Sequence, residues 1–345
     1  MMKYIATSPK GLEDVSSMEI KEIINAKAKK TAEGRVEFDT TEDKIKILAY
    51  SARSIDAIYS LVKRINFNKN FLKEVEKIEI KIEEPFMAKV WHSSEDIVSK
   101  SLAAEIGAII HKRGLAVDLE RPKTTVMADI VGNECFLGIL VREGMHKRDY
   151  RVKVSNKSVN ACIAYCLVRL SDYSKEKAFI DPFCKDGVTI IEAASFALNI
   201  PRAYFTDEKL KDLKIERLNI MGVDSLLHNI RSCEINSKLA GVNKAIKLSK
   251  YDIDWLDLKL GDSSVDCIAT IMPYSNWELN ANELTRVYKE FFRQASSILK
   301  KNGKISLLTV KPEVIKETAE GFKAKEEREV WAGQQKYSLK VFIRK

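Results

Sequence analysis

The stretch Ala178-Phe-Ile-Asp181-Pro-Phe-Cys-Lys-Asp-Gly187-Val-Thr-Ile-Ile-Glu192-Ala-Ala constrains the chain more than any other. A short apolar run closes on Asp181, a tight turn follows, and Ile190, Ile191, Ala194 and Leu198 then recur at helical spacing. That is strand–turn–helix, the first unit of a doubly wound α/β domain. Ligands of such sheets sit beyond the carboxyl ends of the strands. A second unit follows: Ile220-Met-Gly-Val-Asp224 reads as a buried strand closing on an acid, and Ser225 to Leu239 reads as a helix. An acid there is placed to accept hydrogen bonds from a ribose. A third strand, Val265 to Ile271, runs into Met272-Pro-Tyr-Ser275. No Gly-x-Gly-x-x-Gly follows the first strand, so a dinucleotide-dependent oxidoreductase is a poor reading of the same sheet.

With 345 residues the chain is long for one core, and two or three domains are expected. Its net charge of +9 suits a polyanionic partner. No apolar run approaches the ~20 residues needed to span a bilayer, and the apolar stretch after Met1 is too short for a signal peptide, so no membrane is expected and the cytoplasm is the expected location. Cys135, Cys162, Cys166, Cys184, Cys233 and Cys267 form no Cys-x-x-Cys pair, and four scattered histidines add no ligand set; buried thiols are expected rather than a metal site.

Ahead of the first unit the pattern is mixed. Lys3–Ala6, Gly34–Asp39 and Ile55–Val62 read as strands, with helices over Leu12–Asn25 and from Thr41, a β-α-β-α-β order that suggests a ferredoxin-like unit. Phe71–Ile78 reads as a helix and Pro85–Trp91 as a strand. Ser94–Lys112 reads as a helix with Ser94 as its cap and Asp96 in its first turn. Val117–Leu119, Thr125–Val131 and Cys135–Val141 read as strands. Arg142 to Lys153 combines basic residues with Tyr150. It reads either as a phosphate-contacting segment, with Arg148 or Tyr150 stacking on a base, or as a linker whose arginines brace two domains. Lys157–Leu170 reads as a helix, Tyr204–Glu216 as a charged helical insertion, and Ala245–Ser249 as a strand followed by Asp252. Phe291–Leu299 reads as a helix stopped by Lys300–Gly303, Lys304–Val310 as a strand, and Val330–Phe342 as a terminal hairpin.

The residues around Asp181 and Pro273 resemble the S-adenosylmethionine (SAM) methyltransferases of the THUMP-domain RNA family, which methylate the exocyclic N2 of guanine in tRNA. Members carry Asp-Pro-Phe-Cys-Gly-Ser-Gly-Thr followed by Ile-Glu-Ala-Ala, and an Asn-Pro-Pro-Tyr-Gly loop. Here Lys185 replaces the first turn glycine, and Ile271-Met-Pro-Tyr-Ser275 stands for the loop. The resemblance implies a Rossmann-like SAM methyltransferase domain behind an α+β ferredoxin-like unit and a THUMP domain. The implied boundaries are 1–66 for the ferredoxin-like unit, 67–152 for THUMP, 153–175 for a linker helix and 176–345 for the methyltransferase-like domain. It implies SAM contacts from Asp181, Phe183, Gly187, Asp224 and Asp252, and an acceptor loop of Pro273 and Tyr274; Asn276 or Ser275 could replace the missing Asn only if the loop is re-registered, and Trp277 could add stacking. It also implies a tRNA face that includes Lys112, Arg113, Lys147, Arg148, Tyr150 and Arg151.

Two functions remain open at this level. One is a working guanine-N2 methyltransferase with an altered loop. The other is an RNA-binding pseudo-methyltransferase that positions tRNA or a partner subunit. Ile271 has no side-chain acceptor for the guanine amine, and removing one such hydrogen bond typically costs about 10²–10³ in rate.

Overall fold

The computed structural model describes residues 1–92, 98–203, 215–274 and 280–345. Ser94, Asp96, residues 204–214 of the predicted insertion, Ser275, Asn276 and Trp277 lie outside the described residues. The chain divides into two compact units. One comprises Met1–Ser8, Ser16–Ala49 and Ile55–Met145; the other comprises Pro9–Val15, Tyr50–Ser54 and His146–Lys345.

The first unit is a single seven-stranded sheet with helices. Its elements are β1 (Met2–Thr7), α1 (Glu13–Ile24, whose first turn belongs to the second unit), β2 (Ala28–Ala32), β3 (Arg35–Thr40), α2 (Glu42–Ser51, whose last two residues belong to the second unit), β4 (Ala57–Asn66), α3 (Phe71–Glu76), β5 (Phe86–His92), α4 (Ser99–His111), β6 (Thr124–Val131) and β7 (Glu134–Arg142). The strand order is β2-β3-β1-β4-β7-β6-β5, so strands from both predicted N-terminal domains share one sheet, joined where β4 pairs antiparallel with β7. Strand β2 was not expected. Its Ala-Lys-Lys-Thr-Ala lacks apolar alternation because it is an edge strand, with both lysines exposed. The strand predicted at Val117–Leu119 is only an isolated bridge from Val117 to Phe86. Asp118 turns the chain there, its carboxylate accepting from the amides of Glu120 and Arg121, and Leu119 is left exposed.

The second unit is the predicted doubly wound domain. Its elements are α5 (Ala161–Leu170), β8 (Phe179–Asp181), α6 (Val188–Ala197), β9 (Ile220–Asp224), α7 (Leu227–Leu239), β10 (Ile246–Lys250), α8 (Leu256–Leu260), β11 (Val265–Ile271), α9 (Ala281–Ile298), β12 (Leu299–Thr309), α10 (Pro312–Thr318), β13 (Phe322–Ala332) and β14 (Gln335–Arg344). The sheet order is β10-β9-β8-β11-β12-β14-β13, parallel up to β12, with the predicted hairpin antiparallel beyond it. The order reverses between β8 and β11, so the crevice beyond Asp181 and Ile271 is where such a sheet binds ligands. Helix α9 starts ten residues earlier than expected, at a capping box between Asn280 and Glu283. Its buried Leu284, Tyr288, Phe291, Phe292, Ala295 and Ile298 form the apolar stripe. Lys300–Gly303 is an irregularity within β12, not a stop before it; Asn302 takes φ +65° and the pairing skips from Leu299 to Lys304. No helix among the described residues is long and apolar enough to cross a membrane.

Gly187 caps α6 with φ +85°, and a Cβ built on it would lie 2.3 Å from the Cys233 sulfur on α7. Its smallness therefore serves α6–α7 packing. Gly187→Ala should destabilise the unit by about 2–5 kcal/mol, from a left-handed conformation and an overpacked contact. Cys233→Ala in the same chain should return the packing part. An unchanged melting temperature for the single variant would contradict this.

Candidate functional site: the crevice beyond β8 and β11

Residues at the ends of four parallel strands line a cleft of about 560 Å³. Asp224 and Asp252 supply its carboxylates, Phe183, Ile253 and Pro273 apolar wall, and Lys157 and Lys185 ammonium groups. Asp181 is buried at the tip of β8, where it accepts from Thr270 Oγ1 at 2.6 Å and from the Phe183 amide at 3.1 Å. Burial pushes its carboxyl up to about 6 despite these donors. Asp224 accepts from the Lys185 amide at 3.0 Å, the Leu226 amide at 3.0 Å and Asn229 Nδ2 at 2.9 Å. Both expected acids thus end their strands, already held by protein donors. Asp252 is exposed and caps the following 3-10 turn, Ile253–Trp255.

Lys185 decides the character of the cleft. It adopts φ +50°, the left-handed conformation that favours glycine at this position. Its side chain turns inward, is 7% exposed, and donates from Nζ to the Ile271 carbonyl at 2.8 Å. One lysine therefore ties the turn after β8 to the end of β11. Burial lowers its pKa to about 8, with Asp181, Asp224 and Asp186 opposing the fall. The Ile271 side chain is buried in the core and offers the cleft no acceptor. Pro273 lines the cleft, and its carbonyl accepts from Tyr288 of α9 at 2.9 Å. Tyr274 is half-buried, with the Lys157 ammonium 5.5 Å from its ring centroid.

These residues fit SAM at one end only. Asp224, Asp252, Phe183 and Ile253 suit a nucleoside: two carboxylates for hydroxyl or amine donors beside an apolar wall. The methionyl end does not suit. There the Lys185 ammonium lies beside Asp181 and Asp224, where it opposes a sulfonium and an amine and would attract only a carboxylate.

Three predicted RNA contacts are corrected. Arg148 and Tyr150 are buried, and both bind Glu192 of α6. Arg148 Nε lies 2.8 Å from Oε1, Tyr150 OH 2.9 Å from Oε1, and Arg53 Nη1 2.8 Å from Oε2. No face of either side chain is free to stack on a base. Arg151 pairs with Asp186 at 2.9 Å, and Asp186 also accepts from Ser155 and Ser158. Asp186 thereby fastens the segment before α5, so that Ser155, Asn156 and Lys157 line the cleft. The predicted helix from Lys157 begins instead at Ala161, capped by Asn160. Gly187 does not line the cleft. Lys112 and Arg113, in the first unit, are exposed, and Arg113 donates to the carbonyls of Ile78 and Glu76. Lys147 is exposed in the second unit. Sequence reasoning missed Lys157, His228, Asn229 and Arg286, which line the cleft from elements whose meeting has no local signal.

Residues 148–339, more than half of the chain, match the family described as UPF0020, RMKL-like methyltransferase domain. The chain belongs to this family, a family of RNA methyltransferases. Among curated relatives, the tRNA (guanine(6)-N2)-methyltransferase of Archaeoglobus fulgidus is 26% identical over 99% of this chain and 92% of the relative. That of Methanocaldococcus jannaschii is 26% identical over 96% and 97%. Among solved structures, TrmN from Thermus thermophilus superposes with a TM-score of 0.77 at 21% identity over 100% of both chains. SMU.472, a putative methyltransferase complexed with SAH, superposes with 0.79 at 19% identity over 100% of this chain and 98% of that one. These structural likenesses bear on the fold, which is that of a Rossmann-like methyltransferase.

Burial alone would raise the Glu192 carboxyl, but Arg148 and Arg53 hold it down at about 2. A carboxylate depressed on folding stabilises above its unfolded value and loses that contribution as pH falls through its folded value. Glu192→Gln should therefore cost about 3–5 kcal/mol near neutral pH, by leaving buried guanidinium charge uncompensated. In denaturant melts the gap from wild type should shrink between about pH 4.5 and 2. A gap constant over that window would contradict the role given to Glu192.

Proposed function

We propose that the chain is a tRNA-binding member of this family that does not transfer methyl groups, its donor pocket held by its own Lys185. The observation that carries the reading is the buried Lys185 ammonium on the Ile271 carbonyl, beside Asp181 and Asp224. SAM carries positive charge at its sulfonium and its methionyl amine, and its single carboxylate offsets only one of them, so the ligand is a net cation. It meets a like charge in a poorly solvated pocket, where repulsion is largest. The acceptor side agrees, because Ile271 supplies no side-chain oxygen for a guanine amine. The tRNA reading is supported by the tRNA methyltransferases among its relatives, by the +9 net charge, and by exposed Lys112 and Lys147. On this reading the ferredoxin-like (1–66) and THUMP (67–152) stretches form the RNA-binding half. The linker helix (153–175) and methyltransferase-like domain (176–345) position tRNA or a partner subunit in the cytoplasm.

A second reading, SAM-dependent guanine-N2 methylation, is favoured by the acids and aromatic residue still lining the cleft, Asp224, Asp252 and Phe183. A tritiated-methyl assay on bulk tRNA separates the two. The wild type should show no turnover, and Lys185→Gly with Ile271→Asn should raise the signal above either single change, since donor and acceptor sites must both be complete. Robust wild-type turnover would establish the second reading instead. Binding of tRNA should fall steeply with salt and weaken in Lys112→Glu/Lys147→Glu; salt-independent binding would contradict phosphate contact.

A further inference from the structure

A second concavity, of about 610 Å³, opens on β10, the edge strand of the second unit's sheet. Lys247 and Lys250 come from β10, and Lys259 comes from α8. All three are exposed, and none forms an ion pair among the described residues. One carboxylate, Asp252, shares the groove and also lines the first cleft. Between the lysines stand Tyr251 and Trp255. The Tyr251 hydroxyl donates to the Met221 sulfur at 3.3 Å, which fixes its ring, and Trp255 is 53% exposed.

Such an arrangement needs an occupant with two properties. An indole left in water beside unneutralised ammonium groups is stable enough in a surface patch, but it complements a flat π-face carried on an anionic backbone. A folded acidic protein offers the charge without the flat face. A nucleic acid duplex offers the charge with its bases stacked internally, out of reach of Trp255. A single strand offers both. We propose that this groove binds a single-stranded RNA segment, with Trp255 stacking on one base and Lys247, Lys250 and Lys259 contacting the flanking phosphates. The proposal rests on the tRNA-binding reading above and is independent of whether the first cleft takes SAM.

The test uses the full chain and a short fluorescein-labelled single-stranded RNA read by anisotropy, with whole tRNA measured alongside. Trp255→Ala should weaken the oligonucleotide about 5- to 150-fold, the range expected for removing one base stack, and Trp255→Phe should retain most of the affinity. Lys247→Glu/Lys259→Glu should reduce the slope of log affinity against log salt by about 1.4, roughly 0.7 for each phosphate no longer neutralised. All these side chains are exposed, so melting temperatures should match the wild type. A duplex of the same length should compete poorly. Unchanged affinity in Trp255→Ala, or equal competition by the duplex or by heparin, would overturn the proposal and leave a general polyanion patch. If tRNA still binds in that case, only the groove assignment fails. If tRNA does not bind the wild type at all, the tRNA reading fails with it.

Discussion

An ammonium taken out of water needs acceptors and counter-charge, or it gives up its proton. Lys185 has both: the Ile271 carbonyl at 2.8 Å, and Asp181 and Asp224 at the ends of the first two parallel strands. The rest of the cleft follows from that contact. It draws the turn after β8 and the end of β11 together from opposite sides of the topological switch point. It also sets an ammonium beside those two acids at the ends of β8 and β9. The left-handed backbone at Lys185 costs about 1–2 kcal/mol relative to glycine. The turn thus keeps the shape that a glycine would give it and changes what fills it.

Two buried carboxylates support this arrangement from behind. Glu192 gathers Arg53, Arg148 and Tyr150 onto α6, the helix that the turn after β8 opens. Asp186, within the turn, holds Arg151, Ser155 and Ser158, and so sets the segment that brings Lys157 to the cleft. Both acids sit within buried surroundings, where an ion pair with satisfied hydrogen bonds is costly to break on one side only. The positive charge of the 148–151 segment is spent on these internal partners.

The parallel half of the fold was legible in the sequence because its first two strands, β8 and β9, are short apolar runs that end on acids. Asp181 and Asp224 stand at the predicted strand ends, and Lys185 and Ile271 at the predicted points of departure. What escaped was set by partners distant in sequence. Arg148 and Tyr150 read as a surface charge run because Glu192, which buries them, lies some forty residues on inside an apolar-looking helix. Edge strand β2 escaped because an exposed strand need not alternate. The early start of α9 escaped because its first turns set Glu283, Arg286, Lys289 and Glu290 around the buried Leu284 and Tyr288. Lys157 reaches the cleft from a segment placed by Asp186, and Trp255 gains meaning only when β10 brings its lysines alongside.

Calorimetric titration with SAM between pH 7 and 9 tests most directly the proposal that the charge on Lys185 keeps SAM from the cleft. Wild-type affinity should be weak at pH 7 and rise as pH passes about 8, where Lys185 loses its proton. Lys185→Gly should bind more tightly at pH 7. Its pH profile should show only the titration of the ligand's own amine, whose ordinary value is roughly 8. Wild-type affinity equal to that of Lys185→Gly at pH 7, with the same pH profile, would contradict the account.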